Sequence, residues 1–130
     1  MHAKGTFDVR LTPAGPDDYA DGELLGRTSI DKTFHGDLEG TSRGQMLTAM
    51  TPVQGSAGYV AIERVAATIG GRRGTFVLQH HATMTRGTPR LAIEVVPDSG
   101  TGELAGIGGT MTIAIAGGVH SYEFTYTLPR

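Results

Sequence analysis

The chain has no cysteine, no tryptophan and no asparagine among its 130 residues. Without cysteine it forms no disulfide framework, offers no thiolate nucleophile and builds no cysteine-ligated zinc or iron–sulfur site. Charge is sparse and balanced, with 11 Lys and Arg against 13 Asp and Glu for a net charge of −2. The cations are scattered apart from Arg72 and Arg73, which leaves no electrostatic footprint for nucleic acid. Long apolar runs are missing too. No stretch approaches the length of a membrane span, and "MHAKGTFDVRL" lacks the basic-then-apolar order of a secretory signal. The expectation is a soluble cytoplasmic protein that binds neither nucleic acid nor membrane.

What the chain has in excess is glycine, 20 residues in all. A glycine inside a helix costs roughly 1 kcal/mol relative to alanine, so this density disfavours long helices and favours a twisted sheet with tight turns. Apolar residues recur with period two: Phe7, Val9 and Leu11 alternate with Thr6, Asp8 and Arg10. Further strands fit residues 24–35, 38–50, 58–69, 73–86, 89–97, 103–116 and 119–128, which makes eight. "PAGPDD" ends the first strand and "TPVQGSAG" reads as the longest loop. The remaining connections, "GDLEG", "IGGRRG", "TRGTP", "VPDSGTGE" and "AGGVH", are hairpin material. All-β strands joined in this way close most simply into an eight-stranded antiparallel up-and-down barrel of lipocalin type, which removes exposed edges and holds one small ligand. Residues 1–130 form a single domain of this kind.

Several motifs fail on inspection. "SGTGELAGIGGTM" carries neither the dinucleotide fingerprint nor Walker spacing and leads into a strand, so it reads as a turn and barrel bend. No serine sits in a nucleophile elbow. In "FVLQHHATM" the adjacent histidines fall on opposite faces, so they are not the alternate-residue pair that offers two ligands to one metal. The face shared by Phe76, Leu78, Ala82 and Met84 predicts His80 inside and His81 outside. On the last strand His120, Tyr122, Phe124, Tyr126 and Leu128 share the inner face. "GYVAIERV" is ambiguous, because Tyr59, Ala61, Glu63 and Val65 lie opposite the equally apolar Val60 and Ile62. With Glu63 inward it joins His80, His120, Tyr122, Tyr126 and Ser42 around one cavity. Mutual hydrogen bonding accounts for any one of these residues, but the set exceeds what packing needs and marks a ligand pocket. Glu63 with a histidine provides a general acid and base, and two histidines with a carboxylate are also the ligands of a non-haem metal site. Asp31, Lys32, Glu39, Arg43, Arg72 and Arg73 read as solvated surface charges.

The succession "GDLEGTSRGQML", "GSAGYVAIERV", "GRRGTFVLQHHATM", "VVPDSGTGELAGIGGTM" and "HSYEFTYTL" resembles the bacterial family of unknown function DUF3224, from about Thr33 to Leu128. The resemblance implies an antiparallel barrel similar to allene oxide cyclase, with a central cavity and no reaction to carry over. It places Glu63, His80, His120, Tyr122 and Tyr126 in the family pattern, and the chain departs from that pattern at Gln45 and His81. The expected function is to hold a small hydrophobic, oxygenated ligand in the barrel, as a cofactor-independent cyclase or isomerase without a metal. Glu63, His80 and Tyr122 are its candidate catalytic residues. Ser42, Met46, Tyr59, Phe76, Leu78, His120, Phe124 and Tyr126 are its candidate ligand contacts. The alternative is a non-catalytic, lipocalin-like binder or carrier. Outward Val60, Ile62 and Val77 point to a homodimer.

Overall fold

Period-two patterning becomes eight strands: β1 (His2–Pro13), β2 (Leu25–Gly36), β3 (Leu38–Met50), β4 (Ala57–Ile69), β5 (Arg72–Thr85), β6 (Thr88–Val95), β7 (Gly108–Ala116) and β8 (Val119–Thr127). They come from a computed structural model describing residues 1–13 and 25–129. Each strand runs antiparallel to the next, and β8 returns to pair with β1, giving a closed barrel in chain order. Most of "PAGPDD", together with residue 24 at the start of the predicted second strand, lies outside the described residues. No helix among the described residues is long and apolar enough to cross a membrane.

Antiparallel order puts the β2–β3, β4–β5 and β6–β7 connections at one end of the barrel, and residues 51–56, 86–87 and 117–118 at the other. The first end is closed. Phe124 stacks between Phe76 and Tyr126, with ring centroids 5.7 and 5.2 Å away. Residues 96–107 cover this end as a plug that contains a single 3-10 turn, Gly102–Leu104, and sinks Leu104 and Ile107 into the core. The predicted seventh strand, 103–116, is therefore too long at its start, and the longest described connection is 96–107 rather than "TPVQGSAG". The physical cause is main-chain pairing: Val96 N–H donates to the Val77 carbonyl at 2.9 Å, and Thr101 N–H donates to the Thr75 carbonyl at 2.8 Å. Gly74 is required where the plug crosses, since a Cβ there would collide with the Thr101 carbonyl.

At the opposite end the alternation continues but the packing does not. Leu11, Met50, Met84, Leu91 and Ile115 belong to the inner face by register, yet all five are exposed around the mouth. The β6–β7 seam is also sparsely paired on this side. Between β6 and β7 only Ile93 with Met111 and Glu94 with Thr110 form ladder partners.

Candidate functional site

Four polar side chains meet on the inner wall at the boundary between the packed end and the mouth. The β3–β4 register sets Gly44 beside Glu63 and Ser42 beside Val65, and the β2–β3 register sets Lys32 beside Ser42. β5 brings His80 next to Ala61, one inner position from Glu63. Gly44 makes the room: a Cβ there would lie 2.8 Å from the Glu63 Cβ and collide with the Ile62 carbonyl.

Glu63 is the hub and is wholly buried, at 0% exposure. Its Oε2 accepts from Lys32 Nζ at 2.8 Å and lies 2.7 Å from His80 Nε2, while Oε1 accepts from Ser42 Oγ at 3.0 Å. Burial alone would raise this carboxyl. The hydrogen bond from His80, the charges of Lys32 and His80, and the hydrogen bond from Lys32 outweigh it and bring the carboxyl from 4.5 down to about 2. Lys32 is itself buried, and its ammonium sits 4.9 Å from the Phe7 ring centroid and 5.8 Å from that of Phe34.

An ionised carboxylate only accepts, so the proton between Glu63 and His80 belongs to Nε2. In the neutral ring Nδ1 then carries the free lone pair. Nδ1 has no hydrogen-bond partner among the described residues. No side-chain nitrogen or oxygen shut off from solvent lacks a partner among them, so Nδ1 borders accessible space. Tyr59, two inner positions from Glu63 towards the mouth, is half-buried, and its phenol is raised by burial and by the Glu63 charge.

The structure divides the predicted set. Glu63, His80 and Ser42 come together, with Tyr59 and Met46 above them on the inner face. Tyr122 does not join them: its hydroxyl accepts from Leu38 N–H at 2.9 Å and lies 3.0 and 3.1 Å from the His35 and Leu38 carbonyls, tying down the β2–β3 turn. Phe76, Leu78 and Phe124 are fully packed with Tyr126 in the core, and His120 is half-buried against Phe7. Among the described residues no three His, Asp or Glu side chains are arranged to hold a metal, so the two-histidine, one-carboxylate grouping does not assemble.

Sequence reasoning missed Lys32, reading it with Asp31 as a solvated charge. Asp31 does face outward and pairs with Arg43 at 3.4 Å. Lys32 faces inward, and the signal was its place midway between Ile30 and Phe34, both buried. Gln45 and His81, the two departures from the family pattern, line one groove on the outside of β3–β5 with Leu47, Val60 and Ile62. Val77, expected to be an outward apolar residue, is half-covered by the strand-like start of the plug.

A family model described as "Protein of unknown function (DUF3224)" matches residues 3–126. Similarity extends to a crystal structure of a protein of unknown function from the same family in Shewanella oneidensis MR-1. The two chains are 53% identical, the alignment covers 100% of this chain and 98% of that one, and the TM-score is 0.93. No curated protein matches the chain.

Proposed function

The chain belongs to the DUF3224 family, and from the site we propose that it binds a small hydrophobic, oxygen-bearing molecule in the open half of the barrel and moves a proton on it. The reaction class is that of a cofactor-independent cyclase or isomerase. The observation that carries this reading is the one-sided satisfaction of His80: Nε2 is held by a buried carboxylate, and Nδ1 borders accessible space without a partner. Nδ1 accepts a proton from a C–H next to a carbonyl, and Glu63 stabilises the imidazolium that results. Lys32 and Ser42 are positioning residues that keep Glu63 ionised and fixed in place. The inner-face apolar residues of the mouth hold the ligand's hydrocarbon part.

A test is deuterium uptake from D2O into a panel of apolar ketones and aldehydes that have an exchangeable C–H beside the carbonyl, followed by mass spectrometry. Uptake catalysed by the wild-type chain, abolished by His80→Gln and reduced by Glu63→Gln, is the expected result. The non-catalytic carrier is the second reading, favoured by the internal satisfaction of both Glu63 oxygens. Saturable binding with no uptake in any case would overturn the proton-transfer assignment and leave the carrier.

A further inference from the structure

The wall beside His80 is the most sparsely paired of the barrel. β5 and β6 pair along the whole of β6, from Thr85 with Thr88 to Leu78 with Val95. β7 and β8 pair along the whole of β7. Between these two hairpins the ladder stops at Ile93 and Met111, so Thr88–Ala92 and Thr112–Ala116 face one another without pairing. Every residue of Thr88–Ala92 is exposed, as are Ala114, Ile115 and Ala116. The inner-face side chains that border the gap are apolar: Leu91 at 41% exposure, Ile115 at 65%, and half-buried Ile113. The β7 edge carries no charge and no proline, the usual guards of a free strand edge, while the facing β6 edge carries Pro89 and Arg90. The last paired rung runs from Ile93 to His80, so the gap ends one strand away from the candidate base.

We propose that the β6–β7 seam is a lateral port through which the ligand reaches His80, and that the ligand is accordingly a slender molecule with an extended hydrocarbon chain and one carbonyl or hydroxyl group. This rests on the reading of the open half as the ligand site. A chain slides between two strands edgewise, and the apolar borders Leu91, Ile113 and Ile115 take up its methylenes, whose burial favours binding. A compact polar molecule gains nothing from such a border.

The absence of native cysteine makes the test clean. Arg90→Cys with Ala114→Cys continues the Ile93–Met111 register on the outer face, and a short bismaleimide containing a cleavable disulfide closes the seam from outside. The probe is an octadecatetraenol, a slender and intrinsically fluorescent polyene alcohol, followed by stopped-flow fluorescence. Bridging is expected to slow association and dissociation by about tenfold or more, as closure of a gate does, and cleaving the linker restores both rates in the same molecules. The same bridge between Leu47→Cys and Val60→Cys, on a fully paired seam, leaves the rates unchanged. Unaltered kinetics with the β6–β7 bridge overturn the port while leaving the pocket standing. A bridge that splits a dimer without altering the kinetics identifies the seam as a subunit interface and also overturns it. Failure of the unmodified protein to bind the probe overturns port and pocket together.

Discussion

The two ends of the barrel obey the same alternation and do opposite things with it. At the closed end every inner apolar side chain finds a partner: Phe76, Phe124 and Tyr126 stack, Leu104 and Ile107 fill the opening, and Tyr122 fastens the β2–β3 turn. At the open end the same face presents Leu11, Met50, Met84, Leu91 and Ile115 to solvent. One end is built for stability, and the other leaves its apolar surface in solvent. The Lys32–Glu63–His80 cluster lies between them, its carboxylate sealed in the packed half and one imidazole nitrogen turned to accessible space.

Four measurements break or sharpen this contrast, taken from the largest effect to the smallest. Phe124→Ala empties the centre of the closed end and is expected to cost about 4 kcal/mol in urea unfolding, with loss of the aromatic stack. Lys32→Met removes the cation from the cluster and leaves a buried carboxylate underpaired, at about 3 kcal/mol; adding Glu63→Gln to it should recover much of that loss, and equal losses in the single and double variants would refute the coupling. Acid acts on the same hub. Because the folded carboxyl titrates at about 2 instead of 4.5, its contribution is fully present above about pH 4.5 and disappears as pH falls towards 2. It is on the order of 3 kcal/mol by linkage, and Glu63→Gln should flatten this part of the stability–pH curve. At the rim, Leu91→Ser and Ile115→Ser should move stability by less than about 0.5 kcal/mol, since both side chains are already in solvent. The same two changes should weaken binding of an apolar probe, and a fall in stability comparable to that of Phe124→Ala would erase the distinction between the ends.

Much of the fold is written in the period of the sequence. Alternation gave the eight strands and their order, and in "FVLQHHATM" it separated His80 from His81, because each strand there has one clearly apolar face. It could not orient Glu63, since Val60 and Ile62 on one face of β4 match Ala61 and Val65 on the other; only cross-strand register decides. It missed Lys32 because charge outweighed parity in judging a single residue. Depth along the barrel was beyond it as well. Tyr122 and Glu63 are both inner residues, but they differ in which rung they occupy, and rung depends on strand stagger that no single segment encodes. The plug was hidden for a different reason: its glycine-rich stretch reads as a turn and barrel bend leading into a strand, and only main-chain pairing to β5 turns it into a cover.

The joint between β1 and β8 has a consequence for how the molecule comes together. Every other seam joins strands adjacent in the chain, whereas this one ties Met1 to Tyr126, 125 residues apart, through two main-chain hydrogen bonds. Loop-closure entropy makes this the costliest seam to form, and a barrel of this topology is expected to fold on the scale of milliseconds to seconds. The β7–β8 hairpin that makes this long-range joint is also the one whose other flank pairs with β6 at only two rungs. The native barrel thus has one seam closed by the far ends of the chain and another, β6–β7, paired at two rungs.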